Sequence, residues 1–118
     1  MIEVEPLDVV AVPFPFVERF TVRQRPVAVI AAPPSDDRYP LLWVMMITSA
    51  LNRPWPGDLL ITDLESAGLR RPCLIRTAKI AAIENTAIDQ WGRLATKDAA
   101  ALREALRRML QPLLRDVS

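Results

Sequence analysis

Arginine is the side chain of this sequence that is best suited to do chemistry. All but Lys79 and Lys97 of its 15 basic residues are arginine, and a guanidinium can donate two parallel hydrogen bonds to a phosphate or a carboxylate. The sequence has no histidine, which excludes histidine general bases, histidine triads and the commonest protein metal ligand. Any catalysis is therefore expected to centre on arginine.

The remaining composition excludes several other kinds of site. The single cysteine, Cys73, permits neither an intrachain disulfide nor a cysteine zinc cluster. The glycines, Gly57, Gly68 and Gly92, are not spaced as a phosphate-binding loop, and no acidic residues have the spacing of a metal site. We therefore expect neither a metal nor a cofactor.

Charge and composition predict one globular domain over residues 1–118. Hydrophobic residues make up 51% of the chain and charged residues 25%, which is typical of folded proteins. The formal net charge of +1 excludes a nucleic-acid binder that relies on bulk charge, although residues 17–26 carry three arginines against one glutamate. A nucleic-acid interface would therefore have to be a local patch.

The expected location is the cytoplasm, without contact with a membrane. The longest apolar run, Leu41–Ile47, is too short to cross a bilayer. Residues 1–5 lack the basic and apolar regions of a signal peptide.

Short apolar runs separated by proline and glycine predict a mainly β fold. We expect Pro13 and Pro15 to end the first strand, residues 17–24 to form an exposed loop, and Asn52–Asp58 to form a second loop. The predicted strands are Asp8–Val12, Arg25–Ala32, Leu41–Ile47, Leu59–Ile61, Cys73–Ile75 and Lys79–Ile83.

Helical signals occur at two places. Thr62 and Glu65 have the spacing of a capping box, which predicts one helical turn over residues 63–67 that ends at Gly68. A longer helix is predicted from Thr96, its N-cap, to an end or kink at Pro112. Its apolar residues recur at helical spacing, which predicts packing against the sheet: Ala99, Leu102, Leu106, Met109, Leu110 and Leu113. The whole pattern predicts a mostly antiparallel barrel or strongly bent sheet with one terminal helix.

Six segments of the sequence form a recognisable series: Asp8–Phe16, Arg25–Ile30, Ile47–Ser49, Gly68–Pro72 (G-L-R-R-P), Ile75–Ile80 (I-R-T-A-K-I) and Gly92–Leu94. In their order and spacing, over about residues 7–110, these segments resemble the MazF/PemK-like toxins. Leu7 stands where those sequences usually have glycine, and the first loop has no glycine.

The resemblance implies a small SH3-like barrel of the MazF/PemK/CcdB type, with short, mostly antiparallel strands and a C-terminal α-helix. It also implies a homodimeric endoribonuclease of a type II toxin–antitoxin system, neutralised by an antitoxin with which it binds DNA. Such enzymes cleave single-stranded RNA, here with mRNA as the expected target, without a metal. The substrate's 2′-OH attacks the phosphate and leaves a 2′,3′-cyclic phosphate. The alternative is a non-catalytic toxin or binding module on the same barrel that acts on a protein target such as gyrase.

Carried over residue by residue, the resemblance implies that Arg25 and Thr48 are catalytic. Arg25 would stabilise charge on the phosphoryl oxygens and could protonate the leaving 5′-oxygen, whereas Thr48 would bind the phosphate or orient the 2′-OH. The general base is unassigned. The residues alone also allow Arg25 to pair with Glu18 at a strand edge and Thr48 to form ordinary strand-end hydrogen bonds.

An RNA groove needs positive charge and a stacking surface. Trp55, between two prolines, could stack on a base or an antitoxin side chain, or could cover a small satellite core. The candidate RNA-binding residues are Arg19, Arg23, Gln24, Ser49, Arg53 and Trp55.

Overall fold

One curled, antiparallel sheet of six strands dominates the part of the chain that the computed structural model describes, which comprises residues 3–16, 19–35, 38, 40–86 and 88–116. The strand order is β4-β5-β3-β2-β1-β6. The sheet forms a half-barrel with a C-terminal helix, which confirms the predicted fold class. The strands are β1 (Asp8–Phe16), β2 (Arg19–Ala31), β3 (Leu41–Ser49), β4 (Leu59–Leu60), β5 (Cys73–Glu84) and β6 (Asp89–Arg93), and the helices are α1 (Leu64–Ala67) and α2 (Thr96–Leu114).

Both faces of the central strands are buried, because neighbouring residues alternate between two apolar clusters. Val9, Ala28 and Met45 belong to the cluster that Leu102 of α2 covers. The residues next to them in sequence, such as Val44, belong to the second cluster on the opposite face. Burial on both faces explains why these strands are nearly continuous apolar runs in the sequence.

The first hairpin is longer than the sequence predicted. β1 continues through Pro13 and Pro15 to Phe16, and β2 begins at Arg19, so residues 19–24 are strand and not loop. The two prolines are two residues apart, so their missing N–H groups fall on one edge of β1. The described pairing of β6 with β1 covers Asp8–Ala11, so the prolines interrupt no ladder there. The side chains of residues 14–23 lie outside the description.

Two further strand predictions were wrong. Cys73–Ile75 and Lys79–Ile83 belong to the single strand β5, which is irregular between them. The second error concerns Asp89–Arg93, which is a strand that the sequence did not predict. Its residues are mostly exposed and polar, so it lacks the apolar alternation by which strands are recognised.

Leu7 adopts the backbone conformation that glycine prefers, with φ +80°. Its N–H donates to the Val29 carbonyl at 2.7 Å, and its carbonyl accepts from the Leu94 N–H at 2.9 Å. Both bonds hold this strained residue at the start of β1. The next residue, Asp8, is buried and accepts hydrogen bonds from the Glu5 N–H at 2.9 Å and the Arg93 guanidinium at 2.8 Å.

The cap of α1 is Asp63 and not Thr62. The Asp63 carboxylate accepts from the Ser66 N–H at 3.0 Å, and Gly68 ends the turn at φ +74°, as predicted. Thr62 instead binds Asp98, whose carboxylate accepts from the Thr62 N–H at 3.0 Å, the Thr62 hydroxyl at 2.8 Å and the Asp63 N–H at 3.0 Å. Asp98 therefore joins the start of α2 to the segment before α1.

The second half of α2 departs from the predicted packing. Helix α2 begins at Thr96, which is its first residue and not its cap, and it continues past Pro112 to Leu114. Leu102 is fully buried and Leu106 packs on the same core. In contrast, Leu113 is 77% exposed. Met109 and Leu110 are also exposed, so the last turns of α2 extend beyond the core. No described helix is long and apolar enough to span a membrane.

We predict that Asp98→Asn lowers stability at neutral pH and removes part of the acid sensitivity of the fold. Burial alone would raise the pKa of the Asp98 carboxyl, but the N–H groups of Asp63 and Thr62 and the Thr62 hydroxyl hold it below its ordinary value. The stabilisation is therefore complete above the unfolded pKa, about 3.9, and is lost as the pH falls through the lower folded pKa. We expect a loss of about 2 kcal/mol at pH 7.

The measurement is thermal unfolding of the wild type and the variant between pH 7 and pH 2.5. Asp89→Asn is the matched control, because Asp89 is exposed. The difference between the wild type and Asp98→Asn should shrink toward the acid end. A difference that is constant with pH would contradict a role for the Asp98 charge.

Candidate active site

A cavity of about 350 Å³ opens where β2, β3 and β5 lie side by side. Three cationic side chains and one hydroxyl reach it, and no described carboxylate lines it. Such a cavity is suited to a phosphate or another anion. Its lining residues are Arg25, Pro26, Met46, Ile47, Thr48, Arg76 and Lys79.

Strand register brings Arg25 and Thr48 together. Val27 of β2 pairs with Met46 of β3, and Met46 pairs in turn with Arg76 of β5. Continuing the antiparallel register of β2 and β3 by two residues places Arg25 opposite Thr48. These residues are 23 positions apart in the sequence, and the structure brings both into the cavity.

An irregularity in β5 brings Lys79 to the same cavity. Met45 pairs with Ile80 and Met46 with Arg76, so residues 77–79 of β5 have no described partner on β3. In a regular strand, Arg76 and Lys79 would point to opposite faces. The extra residues redirect the strand, as bulges do, and both side chains line the cavity.

The Arg76 guanidinium is bound by the loop between β3 and β4. Its Nη2 donates to Asp58 Oδ2 at 3.0 Å and to the Arg53 carbonyl at 2.9 Å, and its Nε donates to Asp58 Oδ1 at 3.3 Å. The guanidinium also lies 4.2 Å from the centroid of the Trp55 ring. The hydrogen bond from Arg76 holds the pKa of the Asp58 carboxyl below its ordinary value. The Asp58 carboxylate therefore balances the charge of Arg76, and Arg25 and Lys79 bring two further cationic side chains to the cavity.

The same loop is held at two more points. The Thr77 hydroxyl donates to the Gly57 carbonyl at 2.8 Å, and the Trp55 N–H donates to Asp58 Oδ2 at 2.8 Å. Gly57 has φ +88°, and a Cβ there would lie 2.9 Å from the Thr77 hydroxyl oxygen. The turn therefore requires glycine, and it docks directly on the irregular part of β5.

Thr48 and Ser49 differ in what they do at the end of β3. Thr48 Oγ1 accepts a hydrogen bond from Asn52 Nδ2, which leaves its own O–H to donate. Ser49 Oγ accepts from the Leu51 N–H at 3.1 Å, and the Ser49 carbonyl accepts from the Asn52 N–H at 3.0 Å. Ser49 is thus engaged in the turn and does not line the cavity.

None of the other predicted RNA-binding residues whose side chains are described lines the cavity. Gln24 and Arg53 are exposed, and Trp55 is 42% exposed beside Arg76. Arg19 and Arg23 lie in β2, but their side chains are outside the described part of the chain. Glu18, the alternative partner of Arg25, is also outside the described residues.

No role was predicted for Arg76 or Lys79 from the sequence. Both lie in the I-R-T-A-K-I segment, where a spacing of three in a strand predicts opposite faces. The sequence signal that could have indicated the irregularity is the occurrence of three polar residues, Arg76, Thr77 and Lys79, inside an otherwise apolar strand. Within the described residues, no three acidic or cysteine side chains cluster as a metal site would require.

Comparison with known proteins identifies the family of this chain. The family model of the PemK-like, MazF-like toxins of type II toxin–antitoxin systems matches residues 5–110. A search of curated proteins found no match.

Solved structures of similar fold include MazF toxins. A MazE–MazF crystal structure from Deinococcus radiodurans is 15% identical, with 91% of this chain and 94% of that chain covered and a TM-score of 0.59. MazF from the same organism is 14% identical, with 92% and 96% covered and a TM-score of 0.62. The Mycobacterium tuberculosis toxin MazF-mt6 is 17% identical, with 91% and 97% covered and a TM-score of 0.58. These likenesses concern the fold. Because the family match extends over most of the sequence, the chain belongs to the PemK-like, MazF-like toxins of type II toxin–antitoxin systems.

Proposed function

We propose that this toxin is a metal-independent endoribonuclease that cleaves single-stranded RNA, with cytoplasmic mRNA as its target. The observation that supports this most is the convergence of Arg25 and Thr48, with Lys79, on one cavity without a described carboxylate. A phosphodiester is the anion that such a cavity would bind in RNA.

The proposed reaction uses the nucleophile of the substrate. The 2′-OH attacks the adjacent phosphorus, the bond from phosphorus to the 5′-oxygen breaks, and the products are a 2′,3′-cyclic phosphate and a 5′-hydroxyl. Arg25 binds the phosphoryl oxygens as negative charge develops and can donate a proton to the leaving oxygen. Thr48 donates its O–H to the same phosphate or to the 2′-oxygen. The base that accepts the 2′-OH proton is unassigned.

The alternative function, a non-catalytic toxin or binding module against a protein such as gyrase, is less well supported. A protein-binding surface has no need of cations gathered in one cavity that no described carboxylate lines. The alternative predicts that the folded protein leaves RNA intact.

An antitoxin is the proposed protein partner. Two of the similar structures are MazE–MazF complexes, and the family is defined by toxin–antitoxin pairs. DNA binding by such a complex stays a prediction.

The proposed toxin is also a homodimer. Helix α2 carries an apolar surface beyond the core, and a cavity of about 570 Å³ lies along it, lined in part by Leu106, Leu110 and Leu114. Leu113 and Leu114 are 77% and 74% exposed. A second copy of the chain would remove this surface from water.

We predict that the wild type cleaves a mixed-sequence RNA in EDTA and that Arg25→Ala loses about 10²-fold or more in single-turnover rate. Loss of one comparable donor to a developing oxyanion costs about 10²–10³. Thr48→Val should lose about tenfold, since it keeps the shape of threonine without the hydroxyl. Gel analysis of end-labelled RNA gives the rates.

Arg108→Ala is the matched control, because it removes an exposed arginine of α2 that lines none of the described cavities. Its rate should equal that of the wild type. Equal rates for Arg25→Ala and wild type would refute the site. Intact RNA with folded wild type across varied sequences would refute the endoribonuclease and favour the alternative.

We predict that Leu110→Glu with Leu113→Glu converts a dimer into a monomer in sedimentation equilibrium at micromolar concentration. A carboxylate in an apolar interface is costly to bury. Leu51→Glu is the control, since Leu51 is 96% exposed and lies outside α2, and it should stay dimeric. A dimer that survives the double change would exclude this surface as the interface.

A further inference from the structure

A second cavity, of about 660 Å³, lies between the start of β5 and strand β6. We call it the Arg70–Trp91 cavity. Exposed Arg70 and Arg71 line it together with Gln90 and Trp91, and Trp91 is 39% exposed. Buried Leu69 and Cys73 are also among its lining residues. Burial raises the pKa of the Cys73 thiol, which makes this cysteine a poor nucleophile, so the cavity is better suited to binding than to reaction.

The walls of the Arg70–Trp91 cavity are held rigidly against each other. A Cβ at Gly68 would lie 2.2 Å from the Trp91 carbonyl oxygen, and a Cβ at Gly92 would lie 2.4 Å from the Ser66 carbonyl oxygen. The Ser66 hydroxyl donates to the Arg93 carbonyl at 2.7 Å. Helix α1 therefore packs directly on the β6 backbone, and the two arginines that follow α1 have a fixed position relative to Trp91.

The charge of the cavity is not balanced within the described residues. No described carboxylate pairs with Arg70 or Arg71, and none lines the cavity. Exposed Asp89, in β6 itself, does not line the cavity, and Asp8 and Glu5 are engaged with Arg93. The chain has a net charge of only +1, so two arginines without a described carboxylate partner form a local positive patch beside the exposed Trp91.

Pro26 connects the two cavities. It lines the cavity of Arg25 and Thr48, and it also lines the Arg70–Trp91 cavity. A chain whose phosphate lies at Arg25 can therefore pass over Pro26 and reach the second cavity. A repeating anion with flat bases matches both places, because each combines cations with an exposed aromatic ring nearby.

We propose that the Arg70–Trp91 cavity is a second RNA subsite, which binds a nucleotide away from the scissile phosphate. Arg70 and Arg71 bind the phosphate of that nucleotide, Trp91 stacks on its base, and the Gln90 amide faces the base edge. The proposal rests on the proposed endoribonuclease function and extends it, because it makes the length of the bound RNA a determinant of affinity.

The test compares wild type with Arg70→Ala/Arg71→Ala for binding a fully 2′-O-methylated 12-mer, which cannot be cleaved, by fluorescence anisotropy at several salt concentrations. Affinity should fall about tenfold or more, and the slope of log K against log salt should flatten by about 0.7 for each phosphate that the variant no longer neutralises. Lys97→Ala/Arg108→Ala removes the same charge from exposed positions of α2 that line none of the described cavities, and it should bind as wild type does. Unfolding curves for every variant verify folding.

A second arm tests stacking. Trp91→Ala should weaken binding of the 12-mer about tenfold, and Trp91→Phe should restore most of it, because base stacking on an aromatic ring contributes about 1–3 kcal/mol. Trp43→Ala is the control, since Trp43 is 48% exposed on β3 outside both cavities. A Trp91→Ala variant that binds as wild type does would overturn the stacking role.

A third arm measures cleavage of the unmodified 12-mer and separates this proposal from the endoribonuclease function. Arg70→Ala/Arg71→Ala should raise KM with kcat unchanged, because the subsite lies away from the reacting atoms. If the wild type cleaves RNA and the double variant has the same KM and Kd as the wild type, the subsite proposal is wrong and the endoribonuclease function stands. If the wild type does not cleave RNA but the double variant binds the 12-mer more weakly than the wild type does, the endoribonuclease function is wrong and the subsite is supported.

The remaining occupant to exclude is an acidic protein segment. A glutamate-rich peptide is the probe, measured in the same anisotropy assay. If the double variant loses affinity for this peptide but binds the 12-mer as wild type does, the cavity is a protein-binding site and the RNA subsite is wrong.

Discussion

The buried ion pair between Arg76 and Asp58 is the interaction on which the candidate site depends. The Asp58 side chain is 4% exposed and that of Arg76 is 10% exposed, so removing either partner would leave an unpaired charge away from water, at a cost of about 3–5 kcal/mol. The pair fastens the loop between β3 and β4 to the irregular part of β5. That irregularity turns Lys79 into the cavity, and the loop carries Trp55 against the same guanidinium. One ion pair thus fixes a cation and an aromatic ring at the edge of the cavity.

Because of this ion pair, the cationic side chains have different roles. Arg76 is bound by Asp58, whereas Arg25 and Lys79 line the first cavity, and Arg70 and Arg71 line a second one that shares Pro26 with it. A protein of net charge +1 can in this way gather cationic side chains along one path. Such a path favours a chain of phosphates over a single small anion.

Local sequence signals predicted the elements whose cause is local. The apolar runs of β2 and β3, the stop at Gly68 and the start of α2 follow from residue type and spacing. These local sequence signals failed where contacts between distant parts of the chain determine the structure. Pro13 and Pro15 are tolerated because part of β1 has β2 on one side and no described β6 pairing on the other. The end of α2 is exposed although its apolar spacing continues, because the contacts of the helix with the core end at Leu106 within the described residues. Motif resemblance placed Arg25 and Thr48 in one site, and the register of β2 and β3 supplies the physical reason. Arg76 and Lys79 were not predicted as site residues, because only the irregular pairing of β5 with β3 brings both side chains to one face.

Arg25 and Thr48 are proposed to act on the same phosphate. A double-mutant cycle on single-turnover cleavage tests it most directly, with Arg25→Ala, Thr48→Val and the combined variant measured on one RNA in EDTA. Groups that stabilise one transition-state charge are strongly coupled. We therefore expect the combined variant to lose about as much rate as Arg25→Ala alone, about 10²-fold. A combined loss equal to the product of the two single losses would contradict the claim, because it would mean that the two side chains act independently.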